Sequence, residues 1–115
     1  MKARYRRMID TRKVYAFEGE LPARDTPIRR LRALIRRIWR ENTGRRDTCP
    51  VVLAGRGTPF GGQLASYCHG RARIVLARHH RSRVVAIHEV VHALGPVTHG
   101  RRFQNRYADL LARYL

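Results

Sequence analysis

The stretch HEVVHALGPVTHG, His88–Gly100, decides how this chain folds. It carries His88, Glu89, His92 and His99, while every other position from Val84 to Leu94 is Val, Ile, Ala or Leu. At about 100° per residue, His88 and His92 stand about 40° apart on a helix and Glu89 lies within about 100° of His88. All three polar groups therefore share one side of a helix that is otherwise apolar all round, and such a helix is buried. Buried ionisable groups need partners or a metal ion to offset their desolvation. Two imidazoles one turn apart can aim ring nitrogens at a single Zn²⁺ at about 2.0–2.1 Å, whereas the carboxylate beside the first faces the bound water instead. Gly95 and Pro96 end the helix and turn the chain, which makes His99 the candidate third ligand. Three ligands leave a fourth position open, as in catalytic rather than closed structural sites. The spacing reads as a metal-assisted hydrolysis site: zinc lowers the pKa of a water toward about 7, and Glu89 takes its proton and later passes it to the leaving group. Three structurally satisfied histidines are the competing reading, which leaves Glu89 without a counter-ion in an apolar helix.

Around this stretch the chain offers a helix, several strands and a second helix. DTPIRRLRALIRRIWREN (25–42) has Thr26 as an expected N-cap with Pro27 at the first helical position. Ile28, Leu31, Ile35, Ile38 and Trp39 form its apolar stripe, and Asn42, Thr43 and Gly44 stop it. Its other face carries Arg29, Arg32, Arg36 and Arg40, either a solvated face or a nucleic-acid-binding one. KVYAFEGELP (13–22) reads as a first short strand with Tyr15 and Phe17 on one face. CPVVLAG (49–55) reads as a strand buried on both sides near the middle of the sheet. GRGTPFGG (55–62) lacks the Lys-Ser/Thr of a phosphate loop and reads as a turn. QLASYC (63–68) and RARIVLA (71–77) read as an antiparallel hairpin turning at His69 and Gly70. His79 and His80 are assigned to a solvated loop. HGRRFQNRYADLLARYL (99–115) puts Phe103, Tyr107, Leu110, Leu111 and Tyr114 on one face of a terminal helix. The expectation is an α+β fold: one N-terminal helix on a small mixed sheet of about four strands, an active-site helix and a C-terminal helix. One domain covers 1–115, with 1–12 as a mobile basic arm or short helical lead-in.

Composition sets limits on partners. The 115 residues include 43% hydrophobic positions and no apolar run long enough for a bilayer, so no membrane partner is expected. No secretory pattern opens the chain, which points to the cytoplasm. Cys49 and Cys68 lie in separate segments without a C-x-x-C pairing and read as plain buried thiols. The net charge of +17 fits a nucleic-acid partner, yet only Lys2 and Lys13 of the 25 basic residues are lysines, an arginine bias that a GC-rich genome also produces. Composition does not fix the oligomeric state.

H-E-x-x-H followed by a short turn and H-G-x-x-F, Ile87 to Phe103, resembles the active-site segment of the zincin metallopeptidases. It is similar to SprT-like and WLM-type proteases, and to small bacterial and phage metallohydrolases in which a VYAFE-like segment precedes a helix, strands and this motif. The resemblance implies a zincin-like fold, zinc on His88, His92 and His99, Glu89 as general base and a peptide or protein substrate. The spacing from second to third histidine is one residue longer than in metzincins, and a thermolysin-type glutamate is lacking, with Asp109 a poor substitute for His99. Zincins commonly place a Tyr, His or Arg near the metal, which makes Tyr107, Arg101 and Arg102 candidates for stabilising the transition state. RARIVLA is the expected edge for pairing with an extended peptide. The leading expectation is thus a small zinc peptidase, with a charge that suits work near nucleic acid; the alternatives are a metal-dependent nuclease and a basic nucleic-acid-binding module with a structural metal.

Overall fold

The computed structural model describes residues 5, 9–10, 13–21, 24–55, 67–69, 73–77, 81–96 and 98–115. Its elements are α1 (Val14–Glu18), α2 (Ile28–Thr43), β1 (Val51–Gly55), β2 (Tyr67–His69), β3 (Arg73–Ala77), α3 (Arg83–Ala93) and α4 (Arg101–Tyr114). The architecture is α+β, with helices and a three-stranded sheet in the order β1-β3-β2. β1 runs parallel to β3, Val52 opposite Ile74, and β2 runs antiparallel to it, Cys68 opposite Ile74.

Helix α3 occupies the middle because it has no polar face to give to solvent. Val84, Ala86, Ile87, Val90, Val91 and Ala93 are all buried, and His88 and Glu89 are buried with them. The helix packs against α2, α4, β2 and β3. Ser82 starts it, its Oγ accepting from the Val85 N–H at 3.1 Å. Helices α2 and α4 flank it with one stripe each: Leu31, Ile35, Ile38 and Trp39 from α2, and Phe103, Tyr107, Leu110, Leu111 and Tyr114 from α4. Gly44 ends α2 at φ +71°, its N–H donating to the Arg40 carbonyl at 2.9 Å. α2 begins one residue later than the expected N-cap. Pro27, held extended at ψ 139°, takes that position, and the Thr26 hydroxyl donates instead to the Arg24 carbonyl.

Four expectations are corrected. The segment at Val14–Glu18 is a helix, not a strand. Val14 and Phe17 are buried while Tyr15 is 68% exposed, a three-residue spacing that a strand cannot produce because it would put Tyr15 and Phe17 together. The sheet accordingly has three strands among the described residues, not four. β1 is an edge strand rather than a central one: Val52 faces the core while Val51 and Leu53 are 59% and 38% exposed. β3 is the central strand, with Ile74 and Leu76 fully buried, so RARIVLA offers no edge for a peptide. On β1 the Arg32 Nε donates to the Val52 carbonyl at 3.0 Å, occupying an edge acceptor that another strand would need.

Tyr5, Ile9 and Asp10 are helical, and Tyr5 and Ile9 enter the core, so the opening segment is docked at these positions rather than a loose arm. The hairpin is present, but His69 belongs to β2 and pairs with Arg73 instead of forming the turn. Residues 56–66, which include most of the glycine-rich segment and the start of QLASYC, lie outside the described residues, as do His79 and His80. Cys49 is a free, half-buried thiol.

The helical reading of α1 has a direct test. Phe17→Ala is expected to cost about 3–5 kcal/mol in urea unfolding, and Tyr15→Ala less than about 1 kcal/mol. Equal costs would return the two rings to one face and the segment to a strand.

Candidate metal centre

The turn after α3 brings the three histidines together. Gly95 adopts φ +145°, a backbone conformation that side-chain-bearing residues rarely take, and its N–H donates to the His92 carbonyl at 3.1 Å. The chain reverses there and returns His99 just ahead of α4. Gln104 Nε2 donates to the His99 carbonyl at 3.1 Å and holds the returning strand of backbone in place.

The Nε2 atoms of His88, His92 and His99 form a nearly equilateral triangle, with separations of 3.2, 3.1 and 3.1 Å. The opposite ring nitrogens of two of them are already committed. His88 Nδ1 donates to the Glu18 carboxylate, and His92 Nδ1 donates to the Pro96 carbonyl at 2.9 Å. Carboxylate and carbonyl oxygens accept, so each Nδ1 carries a proton, and in the neutral rings each Nε2 is left with a bare lone pair. Two lone pairs facing each other at 3.2 Å cannot bond to one another. A cation resolves the conflict, and the three histidines, which form the cluster able to hold a metal ion among the described residues, have the separations for it. Burial lowers the pKa of His92 and of His99, in the latter reinforced by the neighbouring imidazoles, which keeps both rings neutral as metal binding requires.

Phe103 is the common floor of the site. Its ring centroid lies 4.9 Å from that of His88 and 4.7 Å from those of His92 and His99. It projects from the first turn of α4, four residues after His99, and is fully buried. One rigid side chain therefore sets the position of all three imidazoles.

Helix α1 supplies a second set of groups. Tyr15 and Glu18 are three residues apart on the side next to the buried pair Val14 and Phe17, with Glu18 about 40° from Val14 around the helix. Glu18 accepts from His88 and, at 2.7 Å on the same oxygen, from the Tyr107 hydroxyl. Tyr15 stacks on His88, with centroids 5.8 Å apart and planes 22° apart, and meets His99 edge-on at 5.1 Å. Sequence reading missed both residues, because β-prone VYAF concealed a helical face; the Tyr15–Glu18 spacing was the available signal.

Glu89 sits beside His88 on the buried helix, and no hydrogen bond or ion pair among the described residues engages its carboxylate. Burial raises its pKa, His88 opposes the rise and Glu18 adds to it, bringing the group up to about 7. Of the other sequence candidates, Tyr107 is fully buried and bonded to Glu18, behind His88 instead of at the open side. Burial first, then the Glu18 charge, raises its pKa well above the usual phenol value. Arg101 and Arg102 are exposed in the first turn of α4. Arg29, Arg32, Arg36 and Arg40 belong to α2, not to the elements that carry the triad. Asp109 does not join the histidine cluster. No family model matches the chain, and no curated protein or solved structure matches it.

Glu18→Ala removes the acceptor that orients His88 and is expected to weaken metal binding about 10–100-fold in chelator competition. An unchanged affinity would detach Glu18 from the centre. The metal-free protein also carries a pH signature. Glu89 titrates near 7 when folded against 4.5 ordinarily, so its contribution is fully retained below about pH 4.5 and is lost as pH rises through 7. At pH 8, metal-free Glu89→Gln should exceed wild type in stability by about 3 kcal/mol relative to the difference at pH 4, measured by urea unfolding.

Proposed function

We propose that this chain is a zinc-dependent hydrolase of zincin type, working as a small metallopeptidase. The observation that carries the reading is the triangle of Nε2 atoms, 3.1–3.2 Å on a side, on the helix that also holds Glu89. Tetrahedral zinc at about 2.0–2.1 Å from each nitrogen would space its ligands about 3.3–3.4 Å apart, close to the observed triangle. Imidazole also suits copper, iron and nickel, and zinc is favoured here by three nitrogen ligands with no fourth ligand in the cluster among the described residues.

Zinc bound there supplies a Lewis acid that makes water a nucleophile near neutral pH. The chain's own residues do the rest. Glu89, without a hydrogen-bond partner among the described residues and with its pKa up to about 7, is matched to take a proton from the attacking water and return it to the leaving group. Glu18 and the Pro96 carbonyl hold His88 and His92 in the ligating tautomer. Tyr15, exposed and lying against two of the three imidazoles, is placed to donate a hydrogen bond to a developing oxyanion, the role that buried Tyr107 cannot take.

Wild type and Glu89→Gln, assayed with unfolded casein and with labelled RNA and DNA, test the reading. The expected result is one zinc per chain in both by elemental analysis, cleavage of casein by wild type, and loss of at least about 100-fold in Glu89→Gln. Equal rates in the two proteins would end the assignment of Glu89, and cleavage of nucleic acid alone would replace the peptidase by a nuclease.

A further inference from the structure

Arg32, Arg36 and Arg40 recur every fourth residue along α2, so their Cα atoms step about 6 Å along the axis. They face β1 across a groove of about 840 Å³, to which Arg46, Val51 and Leu53 also contribute. No aspartate or glutamate lines it among the described residues. Other arginines are neutralised by acids: Glu41 pairs with Arg37, which also borders the groove, and with Arg113, and Asp47 pairs with Arg45. Arg36, Arg40 and Arg46 have no ion pair among the described residues and leave a concave surface of one sign, which concentrates field and attracts polyanions. The facing wall is apolar, with Val51 and Leu53 59% and 38% exposed.

We propose that this groove binds single-stranded nucleic acid, its successive phosphates on Arg36, Arg40 and Arg46 and its sugars and bases against Val51 and Leu53. The step from Arg36 to Arg40 is close to the spacing of neighbouring phosphates in an extended strand. Only an unpaired strand offers charge on one side and bare base faces on the other; a duplex buries its bases. An acidic peptide fits less well, because the Arg32 bond to the Val52 carbonyl blocks the edge along which an extended peptide would pair. No aromatic ring lines the groove among the described residues, so affinity rests on phosphate contacts and carries little sequence preference. No residue of the metal centre takes part, and the proposal holds whether or not the chain is a hydrolase.

The test is fluorescence anisotropy with a labelled oligodeoxythymidylate of about 15 nucleotides, across a range of salt concentrations. Two triple variants of equal charge are compared: Arg36→Gln with Arg40→Gln and Arg46→Gln, and Lys13→Gln with Arg24→Gln and Arg30→Gln, all exposed and outside the groove. The groove triple is expected to bind at least about tenfold more weakly, with the slope of log affinity against log salt shallower by about 2, and the second triple to stay within about threefold of wild type. Equal losses in the two triples would overturn the proposal and leave diffuse surface charge. It would also fall if a duplex bound as tightly as the single strand, or if polyglutamate displaced the oligonucleotide equally well per charge.

Discussion

Three imidazole Nε2 atoms that converge inside an apolar helix pair impose the constraint on which this molecule is arranged. With lone pairs facing each other on the neutral rings of His88 and His92, atoms held at 3.1–3.2 Å stay together where packing forces it or a cation lies among them. Phe103 provides that force by contacting all three rings, and the Gly95 reversal supplies the third of them. The burial of α3 on every side follows, because a helix that flexed in solvent could not keep two side chains and a returning loop in register.

The outer groups extend the same logic. One oxygen of Glu18 receives both His88 and Tyr107, which links α1, α3 and α4 through a single carboxylate. That link fixes the His88 tautomer and also gives a polar group of the core its partner. Glu89 is treated differently by its surroundings, since it is more deeply buried than Glu18 and yet left without a hydrogen bond among the described residues. Two carboxylates near one histidine thereby acquire separate characters, one holding a ring and one held ready for a proton.

The charge of +17 is likewise divided by structure rather than spread evenly. Arg81 bonds the Leu76 and Gly55 carbonyls at the ends of two strands, Arg83 bonds the Tyr114 carbonyl, and Arg37 and Arg113 lie over the Tyr114 ring. A planar guanidinium with several donors serves such positions where an ammonium would not. Arginines that staple backbone, Arg32 on the Val52 carbonyl among them, are a consequence of fold; Arg36, Arg40 and Arg46 in the α2–β1 groove have no such anchor among the described residues.

The sequence by itself determined the helices with strong periodicity and the two ligands within one of them. Leu31, Ile35 and Ile38, and likewise Phe103, Tyr107 and Leu111, mark their faces at helical spacing, and His88 and His92 are one turn apart on any helix, whatever surrounds it. His99 was legible as well, because Gly95 and Pro96 announce a reversal. Short segments were not. Five residues from Val14 to Glu18 are too few for periodicity to separate helix from strand, and β-prone side chains tipped the reading the wrong way until burial of Val14 and Phe17 chose the helix. Strand order was equally hidden, since an apolar run such as Val51–Leu53 carries no mark of which neighbour it will find. Only the tertiary structure brought Glu18 and Tyr15, about seventy residues away in sequence, against His88: long-range partnership depends on how whole surfaces pack, and no local pattern encodes it.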